Sequence, residues 1–398
     1  MPKIQASSAL ARFKIVDLSR VRAGPNCVRF LTDFGADAIR VEPPQGVDPN
    51  EGLFASNRRG GDFQNMNRNK RSMTLNLKKP GAYEVLMRLV AQADVVVENW
   101  RPDVKHKLGL DYESLAAVNP RIILASISGF GQDGPYAKRP GFDQIVQGMG
   151  GLMSVTGLPG QGPVRTGLAV GDMSAGLYCA IGILVALLER ERTGRGQWVH
   201  SSLLHATIAM MDFQAARWLN EGDVPVAMGN DHPTSAPMGL FNARDGVFNL
   251  GASGNGNWHR LCELLGRPDW RDDPEFRTEK LRAQHRARLN ALLNEAFATE
   301  TVDHWVDVLN DAGIPAGPVY NVPEMFDDPQ VRHLGVATEL ARDDGHRTRF
   351  VTQPVTLSRT PPAVAEPAPG WGEHTDEVLR DLGYDDARIG ALREQGVV

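Results

Sequence analysis

The stretch Thr166-Gly167-Leu168-Ala169-Val170-Gly171-Asp172 delivers a carboxylate through a flexible apolar approach to the start of a long apolar run. An aspartate in that position is an N-cap by default, its oxygen accepting a backbone N–H of the first turn. The same placement suits covalent chemistry. The partial positive charge of a helix amino terminus keeps a carboxylate ionised, and glycine lets a substrate approach the backbone closely. An ionised, partly desolvated carboxylate can attack an activated acyl group and form an anhydride. Spacing alone leaves both readings open.

Other motifs mostly exclude. Gly129-Phe130-Gly131-Gln132-Asp133-Gly134 has the form G-x-G-x-x-G after a strand, yet Pro135 and Pro140 follow, so no long helix can start there to receive a pyrophosphate. It reads as a glycine-rich turn. The ten histidines are scattered and no HExxH or paired Cys-x-x-Cys occurs, so no metal site is expected. GxSxG and P-loop spacings are missing as well, which argues against serine hydrolases and nucleoside triphosphatases. Lys78 and Lys107, taken alone, are solvated surface residues.

Elements must position these groups. A chain of 398 residues favours two packed domains. Short β-branched runs alternating with helical patterns over the first 130 residues signal a mostly parallel sheet covered by helices. Strands are predicted at Ile15–Leu18, Ala38–Glu42, Met73–Leu77, Val95–Glu98 and Ile122–Ile127. Helices are predicted at Pro25–Phe34, Pro80–Gln92, Met173–Arg192, Glu373–Leu382 and Asp386–Gln395. Pro43–Gly61 is a long irregular loop, of a length that is usually functional or disordered. The domain division follows the texture: 1–223 opens a large domain, 224–325 forms a small one, and 326–398 returns to complete the large one. The Pro-rich Thr360–Gly370 is an extended crossing segment.

With 43 Lys and Arg against 48 Asp and Glu, the net charge of −5 carries no footprint of nucleic-acid or anionic-membrane binding. The longest apolar run, Leu177–Leu188, is shorter than the ~20 residues of a membrane span and is expected to be a buried core helix. Cys27, Cys179 and Cys262 are far apart and read as reduced, buried thiols; with no apolar signal region at the amino terminus, a cytoplasmic protein is expected.

An ordered set of short matches goes further. Val16-Asp17-Leu18-Ser19-Arg20-Val21-Arg22-Ala23-Gly24-Pro25 is followed by Leu31–Asp37, Ile39–Glu42, Asn67-Arg68-Asn69-Lys70-Arg71, Leu75–Lys78, Ala93–Pro102 and Arg139–Asp143. Then come Thr166-Gly167, Gly171-Asp172, Gly194–Gln197, Asp328-Pro329-Gln330 and Gly372-Glu373-His374-Thr375. Together they resemble the class III (CaiB/BaiF) CoA-transferases, the group that contains formyl-CoA transferase, over nearly the whole chain. The resemblance implies an α/β fold, with a large Rossmann-like parallel-sheet domain, a smaller α+β domain and an interlocked homodimer. It implies coenzyme A, carried as acyl-CoA, and a carboxylic acid as partners, and no metal.

The resemblance also assigns roles. Asp172 is the nucleophile: it attacks the thioester carbonyl, becomes an aspartyl-acyl anhydride, and then an aspartyl-CoA thioester when the thiolate returns. Leu75 and Lys78 border the adenine end of CoA, and Asn99, Trp100, Arg101 and Lys107 line the approach. Arg22, Ala23, Arg40, Phe142 and Asp143 complete the CoA-binding set. Asp143 either assists near the thioester or caps the helix that follows. Gly254, Asn255 and Gly256, within Gly251–Asn257, match a mobile oxyanion loop, or form a tight turn before a helix at Trp258. Relatives commonly carry Arg after the glutamate at Glu42; here it is Pro43, so Arg40, Arg58 or Arg59 supplies that phosphate contact or it is lost.

Two other functions share the fold. An α-methylacyl-CoA racemase needs an acid/base pair and typically a histidine where this chain has Phe142, which carries no proton. A non-catalytic acyl-CoA binder would have no use for Gly171-Asp172. Arg22 departs from the usual Leu or Gln and suits a substrate's second carboxylate, gripped bidentately; the alternative is a CoA phosphate or an internal carboxylate.

Overall fold

Six parallel strands organise the larger part of the chain. They are β1 (Lys14–Asp17), β2 (Asp37–Glu42), β3 (Lys70–Thr74), β4 (Val95–Glu98), β5 (Ile123–Ser128) and β6 (Trp198–Ser202), in the order β3-β2-β1-β4-β5-β6. The structure is a computed structural model and describes residues 3–49, 57–342 and 345–398. Successive side chains feed opposite faces: Ile15, Val95, Val97 and Ile123 join one core, whereas Val16, Val96 and Leu124 join the other. Both faces are covered, as a parallel sheet requires. The Ile15 face is closed by α1 (Ala23–Thr32) and by the long Asp172 helix below; the Val16 face receives α3 (Ala82–Gln92) and two carboxyl-terminal helices.

The third strand departs from expectation. It starts at Lys70, not Met73, because Lys70 and Arg71 are buried cations that hydropathy reads as surface. The Lys70 ammonium lies 2.9 Å from Asp17 Oδ2 and 3.0 Å from the Pro25 carbonyl, so its burial is compensated. Before it stands a helix the sequence reading missed, α2 (Gly61–Asn67), at the end of the Pro43–Gly61 loop; residues 50–56 of that loop lie outside the described residues.

After β4 come α4 (Pro102–Lys107) and α5 (Tyr112–Val118); after β5 come α6 (Asp143–Met149) and α7 (Val170–Thr193). Gly129–Gly134 forms turns, with no helix. Helix α7 begins three residues before the expected Met173 and is only half a core helix. Cys179, Ile183 and Leu187 are buried, but Ile181, Val185 and Leu188 are 56, 58 and 70% exposed. Among the described residues it is the one helix long and apolar enough to cross a membrane by composition, and half of its most apolar stretch is buried in protein. Helices α8 (Leu203–Met210) and α9 (Asp212–Glu221) follow β6.

The chain divides into two compact units, Met1–Leu152 with Arg165–Asp223 and Pro329–Val398, and Met153–Val164 with Val224–Asp328. The second unit thus takes in 153–164, which the sequence division had left in the large domain. It contains an antiparallel sheet of β7 (Met238–Asn242), β8 (Val247–Gly251) and β9 (Ala316–Pro318), and helix α10 (Asn255–Leu264). Its core is aromatic, with Phe241, Phe248, Trp258 and Phe297 nearly or fully buried.

The return segment adds a hairpin, β10 (Ala337–Ala341) and β11 (Arg347–Val351), and helices α11 (Thr375–Asp381) and α12 (Asp386–Glu394). Its Pro-rich stretch is fastened to the rest of its own unit through Asn69, whose Oδ1 accepts the Ala365 and Glu366 N–H groups and whose Nδ2 donates to the Ala363 carbonyl.

Candidate active site

The strand order reverses between β1 and β4, and in such sheets ligands bind outside the carboxyl ends of the strands at that switch point. A cleft of about 610 Å³ opens there. It collects Leu18 and Arg20 after β1, Pro43, Val47 and Asp48 after β2, Leu75–Lys78 after β3, and Trp100, Arg101, Val104 and Leu108 after β4. Its wall is largely aliphatic and aromatic, which suits a pantetheine arm. At the edge the Lys78 ammonium is exposed and has no ion pair among the described residues, and Arg101 is 58% exposed with Asp103 4.0 Å away.

The turn from β1 into α1 is tightly fastened. Asn99 Oδ1 accepts the Arg20 N–H at 2.8 Å, and its Nδ2 donates to the Arg20 carbonyl at 2.7 Å. Asp17 accepts the Ser19 N–H at 3.0 Å. These bonds hold Val21 at φ 62°, a left-handed conformation that β-branched residues resist. Gly24 permits the fold, since a Cβ there would lie 2.2 Å from Ser19 Cβ. Asn99 therefore positions the turn, and Ala23 is buried at the head of α1.

Helix α1 carries the turn to α7. A Cβ on Gly176 would stand 2.7 Å from the Ala23 carbonyl, and Asn26 Nδ2 lies 3.2 Å from Met173 Sδ. The crossing brings the Arg22 end of α1 beside the first turn of α7. Asp172 is in that turn, but not as its N-cap: Ala169 holds that place, with no side-chain cap. The cap is supplied from α6, where Asp143 Oδ1 accepts the Gly171 N–H at 2.8 Å. Asp143 thus caps α7 and not its own helix. Gln147, which the sequence reading passed over, accepts from the Thr166 N–H and hydroxyl at 3.1 Å and donates to the Leu168 carbonyl at 3.0 Å and to Asp143 Oδ2 at 2.6 Å. Its only sequence signal is the i,i+4 spacing from Asp143. Gly171 is required by packing: a Cβ would meet Val146 Cγ2 at 2.7 Å.

Asp172 is left free by this network. Among the described residues its carboxylate accepts no hydrogen bond and forms no ion pair, whereas the carboxylates of Asp17, Asp33 and Asp143 are all engaged. Burial and the negative charge of Asp143 push its pKa up from 3.8 to about 6, with Arg22 pulling the other way. Burial and Asp143 outweigh the pull of Arg22, and the group stays on the ionised side at pH 7. A carboxylate of that basicity is ionised at pH 7 and a stronger nucleophile than one at pKa 4.

The remaining candidates separate. Arg22 donates to both oxygens of Asp62 at 2.9 Å, the internal-carboxylate alternative. Arg40 is buried, with its guanidinium engaged by Asn67 at 2.7 Å and Glu42 at 3.3 Å. Arg58 also binds Glu42 and stacks 4.3 Å over Trp371. Lys107 is exposed and paired with Asp103 at 2.9 Å, outside the cleft lining. Phe142 is 63% exposed. In the second unit, Gly254 is the N-cap of α10 at φ 76°, so the helix begins at Asn255 rather than Trp258. Its first-turn N–H groups, at Asn255, Gly256 and Asn257, have no intrahelical acceptor. The Asn255 side chain is tied at 3.2 Å to Arg282, a buried cation that also donates to the Ala236 and Phe276 carbonyls. No His/Cys/Asp/Glu cluster of metal-binding form occurs among the described residues.

Succinate–glutarate CoA-transferase of Agrobacterium fabrum is 37% identical over 381 residues, covering 94% of this chain and 95% of that protein. Acetyl-CoA:oxalate CoA-transferase of Acetobacter aceti is 38% identical over 323 residues, covering 79% and 82%. The crystal structure of a CAIB/BAIF family protein from Brucella suis superposes with a TM-score of 0.81 at 36% identity, covering 94% of this chain and all of that one. Residues 10–375 match the model of CoA-transferase family III, and the chain belongs to that family of CoA-transferring enzymes.

Proposed function

We propose that this enzyme moves CoA between dicarboxylic acids through covalent intermediates on Asp172. The observation that carries the reading is the half-buried carboxylate of Asp172, fixed at the head of α7 and free among the described residues, while the neighbouring Asp143 is engaged. In the first step an Asp172 oxygen attacks the thioester carbonyl and the CoA thiolate leaves, giving a mixed anhydride. The thiolate then attacks the aspartyl carbonyl and releases the donor acid as a carboxylate. The acceptor carboxylate runs the two steps in reverse. Thioester energy is conserved at each exchange, so neither ATP nor a metal is needed, provided water is kept from both intermediates.

CoA is assigned to the switch-point cleft, with Trp100, Leu75 and Leu77 along the arm and Lys78 and Arg101 at the phosphates. The Gly254–Gly256 amides are assigned to oxyanion support. Two carboxyl groups on the substrate are supported by the relatives that act on succinate, glutarate and oxalate and by Arg22, whose fork already grips a carboxylate in parallel. Replacing Arg22 by Leu tests this. With succinyl-CoA as donor, kcat/KM should fall far more for glutarate than for pentanoate; equal losses for both acids would defeat the dicarboxylate reading.

A homodimer belongs to the same proposal. Leu177, Ile181, Val185 and Leu188 form an exposed apolar stripe on α7, and Trp218 and Leu219 on α9 are 56 and 78% exposed. Apolar surface of this kind marks a subunit contact. Light scattering should return a mass of two chains; a stable monomer would contradict it.

A further inference from the structure

Arg22 is held by a carboxylate of the protein itself. Its two terminal nitrogens donate to the two oxygens of Asp62 at 2.9 Å each, the parallel geometry a substrate carboxylate would adopt. The two partners are unequally fixed. Arg22 emerges from the fastened turn at the head of α1, one third exposed, whereas Asp62 is 61% exposed in the first turn of α2. Let go by the arginine, Asp62 would be rehydrated at once and would keep the favourable field of its own helix terminus. Arg22, left alone, would have only the charge of Asp172 to answer it.

We infer that Asp62 is a built-in stand-in for the substrate's distal carboxylate: it neutralises Arg22 when the site is empty and gives up the guanidinium to a dicarboxylate. The exchange replaces one bidentate carboxylate with another, so it is nearly balanced. A monocarboxylate offers nothing to replace Asp62 and leaves the pair closed. The same exchange serves donor and acceptor, because the acyl group of a dicarboxyl-CoA also keeps one free carboxylate. Arg22 also pulls the Asp172 carboxylate toward its ionised form.

This rests on the dicarboxylate reading, and the experiment separates the two. Asp62→Asn removes the competitor and leaves Arg22 in place; Asp62→Glu keeps a competing carboxylate. With succinyl-CoA and glutarate, the acceptor KM of Asp62→Asn should fall about twofold to fivefold, the size of one exposed bidentate pair, and that of Asp62→Glu should stay near the parent value. Chloride should become a competitive inhibitor against glutarate in Asp62→Asn alone, since the vacated arginine attracts any small anion. An unchanged or raised KM in Asp62→Asn would overturn the inference. If Arg22→Leu were still selective for glutarate in that case, the dicarboxylate reading would survive it; equal losses in Arg22→Leu would fell that reading whatever Asp62→Asn does.

Discussion

Replacing Asp172 by Asn should stabilise the protein while abolishing CoA transfer. The native carboxyl titrates at about 6 instead of 3.8, chiefly through burial. The folded state therefore holds its proton more tightly than the unfolded chain, so between about pH 4 and 6 stability falls as pH rises, and above pH 6 the whole penalty is present. Two pKa units correspond to a ceiling of ~3 kcal/mol; solvent contact at the carboxylate reduces this to roughly 1–2 kcal/mol. Asparagine keeps the shape and never ionises. Thermal unfolding from pH 4 to 8 should show Tm values that nearly coincide at the acid end and diverge to ~2–4 °C in favour of the variant at pH 8. Turnover should drop by on the order of 10³ or more, as for loss of a covalent nucleophile. A stability difference that is negative or independent of pH would refute the reasoning, because it would mean that Asp172 is ionised at no cost in the fold.

Two neighbours give further tests. Asp143→Asn keeps an oxygen for the Gly171 N–H but removes the charge that raises the Asp172 pKa; the acid limb of the kcat/KM profile should move below pH 6, and an unmoved limb would leave burial as the whole cause. Gly171→Ala forces a methyl to within 2.7 Å of Val146 Cγ2 and 3.2 Å of Asp143 Oδ1. It should cost roughly 1–3 kcal/mol by denaturant unfolding and slow transfer as well, whereas parental stability and rate would show that the helix start is looser than described.

Much of the large unit was legible because β-branched runs such as Val95-Val96-Val97 are buried on both faces and signal themselves. What hydropathy misread was charge in the interior. Lys70 and Arg71 lie within a strand because Asp17 and Asp37 meet them from β1 and β2, at 2.9 and 3.0 Å, and a partner far along the chain leaves no local mark. For the same reason nothing local shows that Arg40 and Arg58, two of the three candidates for the phosphate contact, both bind Glu42. Asp62 was missed because its helix follows a loop that gave no periodicity. Residues 153–164 fell on the wrong side of the domain division because a short excursion has no composition of its own. At the site, the family pattern singles out Asp172, yet it cannot say that Asp143 and Gln147 build its support from another helix, since their partners lie 19 to 28 residues on.

The covalent role of Asp172 is tested most directly by mass spectrometry of the intact protein after incubation with succinyl-CoA, followed by peptide mapping. An adduct with the mass of CoA less water, on the peptide containing Asp172, absent from Asp172→Asn and discharged by glutarate, is the predicted result. Steady CoA exchange between succinate and glutarate, with no adduct on Asp172 and with Asp172→Asn still active, would contradict it.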